Sequence, residues 1–251
     1  MSYFSYFPIV DYKFGTEANP DKFENISIYA TVIDELKDNV AFYRDYTIQE
    51  GDRPDQVSFN VYGTTDYHWT FFLLNDNIRE SGWPLSNEKL IEKAVLLYPY
   101  TTLTTKTQIT SLNPSVTTES IFQIGRTVSG NTSGATGTIH HRHLDLGQIV
   151  IANINGTFIA GETVSSVNAD GEVETIVLES ASLEYNSAHH YENVAGETID
   201  IDPTVGPGAL LTEVTYLDRL VNQNDDLKQI RVIKPSVVNR VVNSFREAVQ
   251  S

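Results

Sequence analysis

The chain has 251 residues, with 17 Lys+Arg against 33 Asp+Glu and a formal net charge of −16. Hydrophobic residues make up 40% of it, including 13 Tyr, 11 Phe and 2 Trp, which is enough to fill a core and excludes global disorder. There is no Cys, so disulfides, thiolate nucleophiles and Cys-based zinc sites are excluded.

The length fits one large or two modest domains. Apolar runs such as Phe71 to Leu74 and Ala94 to Tyr98 are far shorter than the roughly 20 residues that carry a helix across a bilayer. Met1 to Pro8 lacks the basic and apolar regions of a signal peptide, so none is expected. Nucleic acid is not expected as the main partner, because neutralising phosphates needs clustered Lys and Arg. Residues 1–104, 105–185 and 186–251 carry −8, −5 and −3, so no basic tail offsets the acidity.

The first stretch opens with Tyr3, Phe4, Tyr6, Phe7, Pro8 and Ile9, aromatics dense enough to require burial against this chain or a neighbour. Ile33, Leu36, Val40 and Tyr43 follow helical spacing. Tyr46-Thr47-Ile48 reads as a short strand. Gly51-Asp52-Arg53-Pro54 turns into a helix, with Asp52 as N-cap, Val57 and Val61 inward and Gly63 as the left-handed stop. Thr64 or Thr65 caps a second helix through Trp69, Phe72 and Leu73. Pro84 breaks the chain after it, and Ser86 caps a third helix carrying Leu90, Ile91, Ala94 and Val95.

The middle stretch changes period. Short runs rich in Thr, Val and Ile predict antiparallel strands at Ile121–Val128, Gly137–His143, Gly147–Ile154, Thr163–Val167 and Glu172–Leu178. Phe122-Gln-Ile-Gly125-Arg-Thr-Val-Ser129 recurs as Phe158-Ile-Ala-Gly161-Glu-Thr-Val-Ser165, an offset of 36, which suits two similar hairpins. Further on, Asp202-Pro203 and Gly206-Pro207-Gly208 mark loops, and Val214 to Leu220 is extended or helical. Lys228 to Ile233 alternates like a strand. Val238, Val241, Val242, Phe245 and Val249 stripe a final helix that begins near Pro235.

Tyr46-Thr-Ile48-Gln-Glu-Gly51-Asp52, with Val57, Tyr62-Gly63, Thr65, Trp69, Leu73 and Asn77, resembles a LysM module. Its flanks narrow the likeness: Tyr3-Phe4-Ser5-Tyr6-Phe7-Pro8, Asn75-Asp76-Asn77-Ile78, Trp83-Pro84-Leu85-Ser86, His190-Tyr191-Glu192 and Leu227 through Pro235. Together these resemble the baseplate wedge protein 53 family of T-even-type contractile-tailed phages, roughly over residues 1–100 and 188–251. The Thr/Gly-rich centre lies outside the likeness and reads as an inserted β module.

The resemblance implies an α+β fold. A small LysM-like βααβ module with an N-terminal arm would occupy residues 1–104, with an inserted antiparallel β domain over 105–185. Residues 186–251 would return a strand and a terminal helix to the first part. It also implies a non-catalytic subunit of the virion tail baseplate, made in the host cytoplasm. Such a subunit would join neighbouring wedge and hub proteins around a ring, with no cofactor. Tyr3, Phe4, Phe7, Tyr62, Trp69 and Trp83 are the candidate contact residues. The alternative is a carbohydrate-binding module for peptidoglycan, with Tyr62, Tyr67, Trp69, Trp83 and Tyr98 stacked on sugars.

Candidate chemistry is sparse. In a strand, His141 and His143 share a face and Asp145 could supply a third metal ligand, but no second ligand set accompanies them, so no metal is expected. His68, His189 and His190 read as packing residues. Gly130, Gly134 and Gly137 lack the spacing of a phosphate cradle and read as a turn between strands. No G-x-S-x-G or H-E-x-x-H occurs, so no catalytic residue is assigned.

Overall fold

The computed structural model describes residues 7–15, 19–25, 40–106, 121–201, 205 and 208–250. In chain order the elements are β1 (Ile9–Tyr12), β2 (Asp21–Glu24), β3 (Tyr43–Thr47), α1 (Pro54–Tyr62), α2 (Trp69–Leu74), α3 (Asp76–Ser81) and α4 (Asn87–Leu97). Then come β4 (Thr101–Thr105), β5 (Thr127–Gly130), β6 (Thr136–His143), β7 (Gln148–Asn155), β8 (Thr163–Val167) and β9 (Val173–Leu183). The chain closes with β10 (Ala188–Glu192), β11 (Thr198–Ile199), β12 (Thr212–Thr215), α5 (Tyr216–Lys228), β13 (Gln229–Ile233) and α6 (Val238–Gln250). Both helices and sheets are present, so the α+β class holds. Two compact units emerge, Met1–Asn87 with Gln223–Ser251, and Glu88–Asn222.

In the first unit, β3 pairs antiparallel with β13, so a strand from the far end of the chain completes the small sheet. Ile230 and Val232 alternate inward from β13 and pack with Ile48, Val57, Val61, Phe71 and Ile78. The valine stripe of α6 is buried as its spacing predicts, against Phe7, Trp69, Leu74 and Ile233. α1 begins after Arg53, not Asp52: the Gln56 side chain accepts the Arg53 N–H at 2.9 Å and so satisfies the helix start from within. Gly63, with φ 75°, ends it as expected. α2 starts only at Trp69 and is capped by neither Thr64 nor Thr65; Thr64 Oγ1 instead accepts the Asp66 N–H at 3.3 Å. The helix expected to reach Tyr43 is also corrected: Val40 lies in a turn and Tyr43 opens β3, while residues 33–39 lie outside the described set. The β1–β2 hairpin and α3 carry no signal in the periodicity of the sequence.

In the second unit, six strands close into an antiparallel barrel in the order β4-β7-β6-β5-β8-β9. Leu103, Phe122, Val128, Ile139, Ile149, Ile151, Val164 and Leu178 fill its interior. The strand expected from Ile121 begins only at Thr127, because Phe122 (φ 45°) and Gly125 (φ 83°) turn the chain first. A second sheet has the order β11-β10-β12. Val214 to Leu220 is both extended and helical: β12 ends at Thr215 and α5 starts at Tyr216.

The internal repeat has a structural meaning. β5 pairs antiparallel with β8, and Ser129 faces Ser165, its own counterpart in the repeat. A local two-fold axis therefore runs between these residues. Gly125 and Gly161 share φ 83°. The Gly125 N–H donates to the Ile139 carbonyl at 2.8 Å, and the Gly161 N–H to the Leu178 carbonyl at 3.0 Å. The same axis relates β6 to β9.

Candidate functional site

Phe7 is buried edge-on to Phe245, with ring centroids 6.3 Å apart. Trp69 is only 5% exposed and packs on the same Phe245 at 5.2 Å. Tyr62 stacks on Phe71 at 6.0 Å, and burial pushes its hydroxyl pKa up to about 12. Trp83 is half-buried, contacts Phe71 and Phe72, and donates Nε1–H to the Asp52 carbonyl at 2.7 Å. Four of the six candidate contact rings are thus engaged within the first unit. Tyr3 and Phe4 lie outside the described residues.

The exposed apolar surface lies on residues other than the six candidate contact rings. In the β1–β2 hairpin Val10 pairs with Phe23 and Tyr12 with Asp21, so strand alternation puts Val10, Tyr12 and Phe23 on one face. Phe14 extends this face: its ring lies 5.0 Å from Tyr12 and 5.6 Å from Phe23. Ile9, Tyr12, Phe14 and Phe23 are all exposed. On α4, Leu90 and Ala94 turn inward while Ile91, Val95, Leu96 and Leu97 face outward, Leu96 at 81% exposure. Amphipathic spacing shows that such a helix has an apolar side, but not that its apolar residues outnumber the inward positions.

The histidines form a second cluster, inside the second unit. His140, His141 and His143 end β6, as the sequence predicts, and His189 and His190 lie on β10. His141 and His143 do come together, with ring centroids 4.9 Å apart, and His141 Nε2 lies 3.6 Å from Glu184. Burial first, then the neighbouring His143 and His140, push the His141 pKa down to about 4. Burial also lowers His143, against the pull of Asp145. Among the described residues, no group of three or more His, Asp or Glu is placed to hold a metal ion. Gly134, with φ 68°, sits in the turn between β5 and β6. Among the described residues no helix is long and apolar enough to cross a membrane.

A built polar site does exist in the barrel, and sequence reasoning missed it. The Glu162 carboxylate is almost wholly buried and accepts from the backbone N–H groups of Ile159 (2.7 Å), Thr132 (3.1 Å) and Ser133 (2.9 Å). The Ser133 hydroxyl donates to it as well, at 2.9 Å. Burial raises its pKa, but these bonds outweigh burial and leave it below the usual carboxylate value. It fastens two turns.

Rings spent on internal packing, apolar side chains left outside and a polar network that ties turns together are features of a structural module. Residues 2–113 match the profile of the base plate wedge protein 53 family. That family is a structural component of the phage tail baseplate, which places this chain in the virion. A comparison with curated proteins finds no match.

Proposed function

We propose that this chain joins neighbouring wedge subunits around the baseplate hub, and that it does so by burying apolar surface. The observation that carries the reading is where that surface lies. The hairpin residues Ile9, Tyr12, Phe14 and Phe23 and the helix residues Ile91, Val95, Leu96 and Leu97 are all exposed, and all fall within the stretch that matches the family. An isolated two-stranded hairpin is marginal in water, and obligate interfaces commonly bury about 2,000 Å² or more. A partner covering these side chains would stabilise both the hairpin and the assembly. We read β3, α1, α2 and β13 as a LysM-like layer used for protein contact. The pairing of β3 with β13 beside α1 and α2 supports this, and so does the packing of Trp69 and Tyr62 against the core, where their rings serve the fold and not a sugar.

The test is incorporation. Tyr12→Ser, Phe14→Ser and Phe23→Ser, combined in one chain, should leave the barrel folded but prevent co-purification with the other wedge proteins of the same phage. Normal incorporation of this variant into tails would refute the role given to the hairpin.

A further inference from the structure

Five of the six histidines lie on β6 and β10 in the second unit, and two of them meet the first turn of α5. Tyr216 Oη lies 3.1 Å from His143 Nε2, and Arg219 Nη1 lies 3.0 Å from His189 Nε2. A guanidinium can only donate, so His189 must accept at Nε2 and carry its proton on Nδ1. From there it donates to His190 Nδ1 at 2.9 Å. His190 then holds its own proton on Nε2 and donates it to Glu192 at 2.9 Å. Every bond in this relay takes its direction from Arg219. The Tyr216 ring packs edge-on against His189, with centroids 4.9 Å apart.

We infer that His143 and His189 are a proton-operated latch, holding the β12–α5 corner to the barrel and the small sheet while neutral and releasing it in acid. A proton on His189 Nε2 would set a donor against a fixed cation, and its other nitrogen is already committed as a donor. A proton on His143 would remove the acceptor for Tyr216. The groups facing the pair are few. His189 faces Arg219 and Tyr216 from α5, His143 from β6 and His190 from its own strand. His143 faces Tyr216, His141, His189 and Asp145, and Asp145 alone among these favours its charged form. Glu184, which faces His141 and His140, is itself raised by burial, so it offers little charge to offset an imidazolium in acid. Burial, and for His189 also Arg219, His190 and His143, hold the two latch residues below the ordinary histidine range. Local opening of one corner ahead of the whole unit is the expected consequence.

Hydrogen exchange on the full chain, stepped from neutral pH to pH 4 and corrected for intrinsic rates, tests this. Peptides spanning residues 212–222 should lose protection at a higher pH than those from β7 and β9. The pair His143→Gln and His189→Gln keeps acceptors but cannot titrate, and should hold the corner closed to the pH at which the barrel itself opens. If that double variant fails to fold, Arg219→Met provides a second measurement. Removing the fixed cation should raise the NMR titration midpoint of His189. A corner that opens together with the barrel, a double variant with the wild-type profile, or an unmoved His189 midpoint would each overturn the latch.

Discussion

The carboxamide of Asn75 pairs with both backbone groups of Arg231. Its Oδ1 accepts the Arg231 N–H at 2.7 Å, and its Nδ2 donates to the Arg231 carbonyl at 2.8 Å. The same Nδ2 donates to the Phe71 carbonyl at 2.8 Å and so closes the end of α2. Asn75 thus stands in for a neighbouring strand along β13. Asn224 repeats the device on Leu85, accepting its N–H at 2.7 Å and donating to its carbonyl at 3.0 Å. Two buried asparagines fasten the returning end of the chain to residues that precede the barrel by far in sequence.

Asn75→Ala should therefore cost about 1–3 kcal/mol, since it leaves the Phe71 carbonyl and the partly buried Arg231 backbone groups without their side-chain partner. Asn75→Asp should be no milder, because it loses both donated bonds and buries a charge. Urea unfolding followed by Trp fluorescence reads the first unit, where both Trp residues lie. A midpoint equal to wild type in either variant would contradict the clamp.

Glu162 makes a similar claim on the barrel. Glu162→Gln keeps one acceptor oxygen but loses charge-assisted bonds, and should cost about 1–3 kcal/mol. Gly130→Ala should also destabilise, for a steric reason: a Cβ there would collide with Ser133 Oγ and lie 2.7 Å from both Glu162 oxygens. The two changes act on one network, so their sum should overshoot the double variant. Strict additivity in calorimetry would mean that the carboxylate and the glycine are independent, against the geometry.

How much of the fold is legible in sequence depends on the kind of force involved. The α6 stripe, the Val57/Val61 pair and the strand Thr163–Val167 are legible because burial imposes periods of 3.6 or 2 on the sequence. The repeat is legible because equal turns need equal glycines, here Gly125 and Gly161. The clamps at Asn75 and Asn224 are not, since one amide meeting a distant backbone leaves no local pattern. The contact rings show the limit for a site. Trp69 and Tyr62 are as conspicuous in sequence as a surface anchor, yet their partners are Phe245 and Phe71. Exposure depends on what the rest of the fold covers, so Leu96 and Phe23 come to light only in three dimensions.

Acid should weaken the second unit before any carboxylate network fails. His141 sits at about 4 when folded against an ordinary 6.5, so the unfolded chain binds more protons across that interval. Stability contributed by its neutral form is present above 6.5, declines as pH falls towards 4 and is level below. Glu162 has the same sign over a lower window: its depressed carboxylate stabilises above 4.5 and the gain is lost as pH falls below that. Glu184 has the opposite sign, because its raised value makes neutral pH the costly side. His141→Gln should flatten the fall in Tm between pH 6.5 and 4 and leave the steeper drop below it. An unchanged slope would remove His141 as the titrating group.

The final expectation separates contact from stability on α4. Leu96 and Leu97 are exposed, so aspartate at both positions removes little buried area and should shift unfolding by no more than about 0.5 kcal/mol per site. Phe7→Ala is the contrasting change, since Phe7 is buried on Phe245 and its truncation should cost about 3–5 kcal/mol. If apolar surface is what joins this subunit to its neighbours, the stable Leu96/Leu97 variant should be lost from assembled baseplates while remaining soluble and folded. A destabilised Phe7→Ala chain should still be incorporated at temperatures below its own melting point. The reverse pairing, with the α4 variant incorporated and the Phe7 variant excluded while folded, would move the contact surface from the helix to the N-terminal arm.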